Sequence, residues 1–187
     1  DQKALGTIQK VSFTLDCRKE RSFYDGWRGQ KKFVGGGVLM SQAIHSIDQL
    51  VFFFGKALRV DGRAWTQRDF IDVEDEAEGT IVFENGIAAT LRATTNSTSH
   101  LWKGITKIEG QKGRIVLDSE RVVEWQVPNF SPPPVEEEEN VPLEFKPAYY
   151  GPGHLKVIQN FVASLRGEEE LRAQAAASIE ALRIIWK

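Results

Sequence analysis

The strongest constraint on the fold is an Asn-Gly pair that separates two runs of alternating apolar and polar residues. The runs cover residues 76–83 and 87–95, and Glu84-Asn85-Gly86 joins them. An alternation with a period of two is typical of a strand with one buried face. Asn-Gly favours a primed turn, in which both central residues have positive φ. We therefore expect a tight antiparallel hairpin and a fold built around a sheet.

Further segments have the pattern of strands and lie on both sides of the hairpin in the sequence. They cover residues 6–17, 58–68, 101–109, 114–117 and 121–127. Short turns separate the segments that follow the hairpin, so we expect them to continue an antiparallel meander. Together the segments predict an open, mostly antiparallel sheet of about six strands.

Helical periodicity predicts one long helix and two shorter ones. In residues 39–54 apolar side chains recur every three or four positions until Gly55, which favours a helix end. Residues 155–165 and 173–186 show the same pattern, and Gly167 follows the first of them. We expect an α+β fold with these helices on one face of the sheet, as a single domain over residues 1–187.

Two connecting segments lack a regular pattern. Residues 18–37 are polar and end in Gly35-Gly36-Gly37, which lacks the spacing of a dinucleotide-binding loop. We expect a long loop whose glycines let the next helix begin close to another segment. Residues 128–147 are proline-rich and contain the glutamates 136–139. We expect a solvated loop there, because a contiguous acidic run fans out whereas a cation site, the alternative, needs convergent ligands.

Composition and charge exclude several functions. The 24 basic and 26 acidic residues nearly cancel, so no net field attracts nucleic acid or an anionic membrane. The longest apolar run, residues 50–54, is far shorter than the ~20 residues that span a bilayer. The single cysteine, Cys17, fits a reducing cytosol, and His45, His100 and His154 have no metal-ligand spacing. We expect a soluble, cytoplasmic protein that binds no metal, nucleic acid or membrane.

The predicted long helix has a polar side formed by Ser41, His45 and Asp48. A histidine side chain can accept or donate a proton near neutral pH, as the oxidation of an alcohol requires, and Asp48 could fix its tautomer. The alternative is that His45 packs in the core or caps a groove, while Asp48 pairs with a surface base. The pattern alone leaves both interpretations open.

The region around this helix resembles a known signature. The stretch is Trp27-Arg28-Gly29 followed by Gly35-Gly36-Gly37-Val38-Leu39-Met40-Ser41-Gln42-Ala43-Ile44-His45-Ser46-Ile47-Asp48. It resembles the second domain of the glucose–fructose oxidoreductase, inositol dehydrogenase and rhizopine-catabolism family of NAD(P)-dependent oxidoreductases. Three later segments are similar to that family as well: the acidic segment 73–77, the Asn-Gly hairpin and residues 108–115. The resemblance therefore extends from Leu5 to Trp186.

The resemblance implies the C-terminal, substrate-binding and oligomerisation domain of an enzyme that acts on a sugar, a sugar derivative or a cyclitol by hydride transfer. In the family, NAD or NADP is bound mainly by an N-terminal Rossmann domain, which these residues do not contain. The isolated chain is therefore expected to be inactive, whereas the full-length protein is expected to be a dehydrogenase or reductase. The rival hypothesis is a non-enzymatic α+β binding or assembly module in which His45 is structural.

The resemblance also implies roles for individual residues. His45 would be the acid or base beside the nicotinamide, and Trp27 and Arg28 would reach the cofactor. The candidate substrate contacts are Ser41, Gln42 and His154. Ser41 stands where many members carry an acid, so it can bond a hydroxyl but holds no charge. For Trp27 and Arg28 the alternative is a stacked pair that anchors the loop, and for His154 it is local packing at a helix start.

The face of the sheet that the helices leave uncovered is expected to be an assembly surface. The alternation in residues 88–93 and 101–106 leaves it a mixture of small, aromatic and threonine side chains without strong charge. Such a face suits burial better than solvation. Members of the family associate through this face, so the resemblance implies a homodimer or a homotetramer with sheet-on-sheet contact.

Overall fold

The computed structural model of the chain describes residues 2–134 and 153–187. They fall into two compact units, Asp1–Pro132 with Glu180–Lys187, and Pro133–Ile179. The four consecutive glutamates, and the rest of the predicted loop after residue 134, lie outside the described residues.

The first unit contains a seven-stranded sheet with the order β2-β3-β4-β1-β5-β6-β7. The strands are β1 Ile8–Asp16, β2 Ala57–Trp65, β3 Glu76–Phe83, β4 Ala88–Thr94, β5 Lys103–Gly110, β6 Gly113–Asp118 and β7 Arg121–Gln126. The β1–β4 pair is parallel, and the other neighbouring pairs of this sheet are antiparallel. The predicted fold class is confirmed; the sheet has seven strands, one for each of the seven strand-like segments, where about six were expected.

The first strand lies in the middle of the sheet, so the predicted continuous meander is wrong. Leu15 of β1 is paired with Ala93 of β4 on one side and with Gly104 of β5 on the other. Turn signals report only pairing between strands that are neighbours in the sequence. The insertion of β1 depends on contacts distant in sequence, which periodicity does not encode.

The hairpin between β3 and β4 forms, but its turn is not primed. Gly86 has φ of 83°, whereas Asn85 is not among the residues with positive φ. Phe83 N–H donates to the Ile87 carbonyl (2.8 Å), which closes a three-residue connection. The Asn85 side chain accepts from Ile87 N–H (3.0 Å) and donates to the Phe54 carbonyl (2.9 Å). Asn85 therefore stabilises the turn with side-chain hydrogen bonds and not with a left-handed backbone conformation.

The helices agree with the predicted positions but not with every predicted length. The helices are α1 Gln2–Leu5, α2 Arg21–Tyr24, α3 Lys31–Val34, α4 Ile44–Phe54, α5 Gly153–Leu165 and α6 Ile179–Ile185. A π-helical turn, Leu39–Ala43, leads directly into α4, and a 3-10 turn, Ala175–Ser178, leads into α6. The predicted loop of residues 18–37 therefore contains two short helices. Among the described helices, none has the length and apolarity needed to cross a membrane.

The core of the first unit lies between the sheet and helices α4 and α6. It contains Phe13 and Leu15 from β1, Ile47 and Leu50 from α4, and Ile184 from α6. Gln49 on α4 accepts from the Thr106 hydroxyl (3.2 Å), and Glu180 on α6 accepts from Ala57 N–H (3.1 Å). These bonds attach both helices to the same face of the sheet, which we call the covered face.

The opposite side, which we call the open face, is more charged than predicted. Its exposed side chains include Lys10, Glu78, Arg92 and Lys107 among threonines and serines. Thr106, expected on this face, is buried on the covered face, and Trp102 precedes β5. Alternation shows which residues of β5 share a side. The pairing of Phe13 with Thr106 shows that the side with Thr106 belongs to the covered face.

Candidate active site

The long helix begins where three glycines bring it against Glu74. Val38 N–H donates to the Glu74 carbonyl (2.7 Å), and Leu39 N–H donates to Glu74 Oε1 (3.2 Å). A Cβ atom on Gly37 would collide with the Glu74 carbonyl oxygen. The expected role of the glycines, a close approach to another segment, is confirmed. Because Glu74 already binds these amides, they are not available to a phosphate group.

The helix presents its polar side to solvent. Ser41, His45 and Asp48 are exposed, whereas Ile47 and Leu50 of the same helix are buried. The interpretation in which His45 packs in the core is therefore wrong. Ser41 and Gln42 lie within the π-helical turn, a feature that is frequent at functional sites. The structure thus places Ser41, Gln42 and His45 on consecutive turns of one helix.

Gln42 has a neighbour that the sequence did not reveal. Its Oε1 accepts from the indole N–H of Trp102 (3.4 Å), and its Nε2 donates to the Ser41 carbonyl (2.7 Å). The Trp102 ring lies over Gly104, where a Cβ atom would be 2.8 Å from the ring. A glycine inside a strand next to an aromatic residue was the available signal, since it marks a close approach.

Trp27 and Arg28 form a stacked pair on the loop before the helix. The Arg28 guanidinium lies 4.9 Å from the centroid of the Trp27 ring and 5.4 Å from that of Phe23. Trp27 keeps 55% of its surface exposed. The stacking that was the alternative to cofactor binding is present, and the pair remains open to solvent.

A polar network that includes Tyr24 holds this loop on the sheet. The Tyr24 hydroxyl is 2.7 Å from Thr95 Oγ1 and accepts from Arg68 Nη1 (3.1 Å). Arg68 Nη2 donates to the carbonyls of Lys19 (2.9 Å) and Thr95 (2.8 Å). Burial raises the pKa of the Tyr24 hydroxyl, while its bond to Thr95 and the charge of Arg68 oppose the rise.

Asp75 is a buried residue whose carboxylate contacts Arg68. Its side chain is 0% exposed, and its carboxylate accepts from the backbone N–H groups of Gln67 (2.8 Å) and Arg68 (3.2 Å). The Arg68 guanidinium lies 3.9 Å from Asp75 Oδ2. Sequence reasoning missed Arg68, Thr95 and Asp75, because their contacts join segments that are separated in the chain.

His154 belongs to a different part of the structure from the other candidates. It is an exposed residue near the start of α5 in the second unit, whereas Ser41, Gln42 and His45 lie in the first. In the second unit, Asn160 of α5 donates to Glu169 (2.8 Å) and accepts from Arg172 N–H (2.9 Å). The described His, Cys, Asp and Glu residues form no group of three suited to a metal ion.

The chain is similar to known oxidoreductases. A family model described as the GFO/IDH/MocA C-terminal domain matches residues 1–116. The putative UDP-kanosamine synthase oxidoreductase subunit of Amycolatopsis mediterranei (strain S699) is 30% identical over 150 residues, covering 70% of this chain and 41% of that protein.

Solved structures share the fold. The WlbA dehydrogenase from Bordetella pertussis, in complex with NADH and UDP-GlcNAcA, superposes with a TM-score of 0.78 at 22% identity, covering 99% of this chain and 52% of that chain. Levoglucosan dehydrogenase, in complex with NADH and levoglucosan, gives 0.71 at 22% identity, covering 98% of this chain and 56% of that one. This chain therefore spans about half the length of these relatives.

Proposed function

Because the chain belongs to the GFO/IDH/MocA family, as its C-terminal domain, we propose that it is the substrate-facing half of an NAD(P)-dependent dehydrogenase or reductase. Residues 1–187 act as one domain in this proposal, within a cytoplasmic protein. The substrate is a sugar, a sugar derivative or a cyclitol. The observation that carries the proposal is the exposed His45 on a helix whose other side is fixed in the core.

His45 moves the proton in this reaction. When a secondary alcohol is oxidised, the carbon loses a hydride and the hydroxyl loses a proton, so that a carbonyl forms. The His45 imidazole accepts that proton, and in the reverse direction it returns the proton to the carbonyl oxygen. Asp48, on the same exposed side, is suited to orient the ring.

Ser41 and Gln42 bind the substrate hydroxyl groups next to the reacting carbon. Ser41 is exposed one turn before His45, and its hydroxyl can donate or accept a hydrogen bond. Since Ser41 carries no charge, it suits a neutral hydroxyl better than a charged group. His154 is proposed as a further candidate substrate contact.

Two residues of the described part of the chain, Trp27 and Arg28, suit an edge of the cofactor site. The nicotinamide cofactor, when bound, supplies the acceptor or donor of the hydride. Arg28 offers a guanidinium that is suited to a pyrophosphate, and Trp27 offers an exposed ring. The helix start that could hold phosphates is closed by Glu74. The cofactor is therefore held mainly by another domain of the full-length protein.

Sugar nucleotides are the first substrates to test. The relative from Amycolatopsis mediterranei is described as a putative UDP-kanosamine synthase oxidoreductase subunit, and the WlbA structure contains UDP-GlcNAcA. Levoglucosan dehydrogenase binds a sugar without a nucleotide, so a smaller substrate is the second choice. The full-length protein is also proposed to be a homodimer or homotetramer that associates through the open face.

The test is turnover by the full-length protein with NAD or NADP and with UDP-GlcNAcA, levoglucosan or inositol. His45→Ala should lower kcat by ~10²–10⁴-fold, the usual cost of losing general acid–base catalysis. The fold should persist, because His45 is exposed. Circular dichroism and the thermal midpoint provide that check.

His100→Ala is the matched control, since His100 is also exposed but lies outside the helix. It should retain the rate of the unaltered enzyme. The 187-residue chain alone should show no turnover, because hydride transfer needs the nicotinamide held ~3–3.5 Å from the substrate carbon. Full activity of His45→Ala, or turnover by the isolated chain, would refute the proposal.

A further inference from the structure

Two adjacent acids, Glu74 and Asp75, each support a different part of the candidate site. Glu74 binds the start of the His45 helix, and Asp75 binds the backbone next to the arginine that holds the Trp27 loop. We propose that this dipeptide is a positioning element that fixes the proton-transfer helix and the cofactor-facing loop independently. The proposal rests on the function proposed above for His45 and Arg28.

The helix start depends on Glu74 because the helix has no cap of its own. Val38 makes no side-chain cap bond, and the glycines before it have no side chain that could cap. Serine, threonine, aspartate and asparagine usually bind the first free amides of a helix. Here Glu74 binds two of them, one with its carbonyl and one with its carboxylate. A carboxylate at this end also interacts favourably with the helix dipole.

Glu74 fixes the helix start by steric contact as well as by hydrogen bonds. The Gly37 backbone approaches the Glu74 backbone so closely that no side chain fits between them. The helix therefore cannot move towards Glu74, and the two hydrogen bonds prevent it from moving away. Ser41 N–H donates to the Gly37 carbonyl (2.9 Å), which connects this docking point to the turn that precedes His45.

Asp75 supports the loop that carries Trp27 rather than the helix start. Its buried carboxylate holds the backbone of Arg68, and its carbonyl accepts from Thr95 N–H (2.9 Å). Arg68 and Thr95 then hold Tyr24, which lies three positions before Trp27. Asp75 thus anchors the part of the loop around Tyr24, and none of these bonds involves the helix start.

This separation predicts two distinct kinetic effects. Loss of the Glu74 carboxylate should displace His45 and lower kcat while the KM for the cofactor stays unchanged. A displacement of about 1 Å can cost on the order of 10²-fold in rate, so we expect a loss of ~10- to 100-fold for Glu74→Ala. Tyr24→Phe should instead raise the cofactor KM while kcat is retained.

The experiment uses the full-length enzyme with the substrate that turns over. Glu74→Gln should restore most of the rate lost in Glu74→Ala, because the amide oxygen still accepts from Leu39 N–H. Glu84→Ala is the matched control, since Glu84 is an exposed glutamate at the hairpin tip. Amide hydrogen exchange at Leu39 should accelerate in Glu74→Ala but not in Glu74→Gln, because Leu39 N–H is the amide that the carboxylate binds.

The outcomes separate this proposal from the proposed function. If His45→Ala retains full turnover, the proposed function fails, while hydrogen exchange still tests the docking of the helix. If His45→Ala is inactive but Glu74→Ala keeps its kcat, the positioning role is overturned. Unchanged amide exchange in Glu74→Ala, or equal loss of rate in Glu74→Gln and Glu74→Ala, also overturns it.

Discussion

The same strands supply the two faces of the sheet, yet the faces have opposite character. In β1, Leu15 is 0% exposed on the covered face, while its neighbour Thr14 is exposed on the open face. Buried polar groups have hydrogen-bond partners within the protein. The Thr106 hydroxyl bonds to Gln49, and the Thr95 hydroxyl bonds to Tyr24. The difference follows from the alternation of apolar and polar side chains along each strand, and the apolar sides of α4 and α6 pack on the apolar face.

The largest effect should come from a cavity in the covered face. Leu15→Ala should lower the free energy of unfolding by ~2–5 kcal/mol, because the buried methyl groups are lost and the surrounding strands cannot collapse into the space. Unfolding in guanidinium chloride, followed by fluorescence and circular dichroism, measures this change.

The matched control is Thr14→Ala on the open face. It should change the free energy of unfolding by less than ~0.5 kcal/mol, as is usual for an exposed position. Measured on the monomeric chain, similar losses for Leu15→Ala and Thr14→Ala would mean that the open face is packed as tightly as the covered face. That result would remove the distinction between the faces.

The covered face was largely predictable from the sequence. Period-two alternation identified the strands, and the spacing of Ile47 and Leu50 identified the helix that packs on them. The position of β1 could not be predicted, because Leu15 pairs with Ala93 and Gly104, which are remote in the sequence. Local propensity carries no information about such pairing.

The candidate site divides in a similar way. Helical periodicity alone places Ser41, His45 and Asp48 on one side of the helix, but it does not show whether that side is exposed. The supports of that side do not, since Glu74 and Arg68 act through hydrogen bonds between distant segments. A single sequence shows which side chains share a helix, but not which segment holds the helix in place.

A smaller effect is expected from a charge placed on the open face. Thr90 of β4 is paired with Ser12 of β1 in the middle of the sheet. Thr90→Arg should weaken the proposed sheet-on-sheet association by ~1–3 kcal/mol, because a long charged side chain prevents close packing. Sedimentation velocity of the full-length protein at tens of micromolar should then show a shift towards monomer.

Glu84→Arg at the hairpin tip is the control for this test and should leave the oligomer intact. The open face is more charged than expected, so association there would require complementary pairs such as Glu78 with Arg92. A strict monomer for the unaltered protein would show that the open face is a solvated surface.

The smallest effect concerns a polar group next to the covered face. Tyr24→Phe removes the hydroxyl that contacts Thr95 and Arg68 but keeps the ring, so the free energy of unfolding at pH 7 should fall by ~1 kcal/mol. In the monomeric chain, Thr14→Val on the open face also removes a hydroxyl and should cost less, since that hydroxyl is exposed there. Equal costs would contradict the distinction between paired and solvated hydroxyls.

The pH dependence of the Tyr24 effect provides a sharper test. Burial raises the pKa of folded Tyr24 above the ordinary tyrosine value of about 10. Above that pH the unfolded chain loses the phenol proton while the folded protein keeps it, so deprotonation favours the unfolded state. The stability that Tyr24 contributes is therefore complete below pH ~10 and decreases as the pH rises through the folded pKa. In parallel unfolding experiments, the difference between the unaltered protein and Tyr24→Phe should stay constant from pH 7 to 9 and shrink above 10. A difference that grows at alkaline pH would mean that the tyrosinate is favoured in the fold, and that Arg68 outweighs burial at this position.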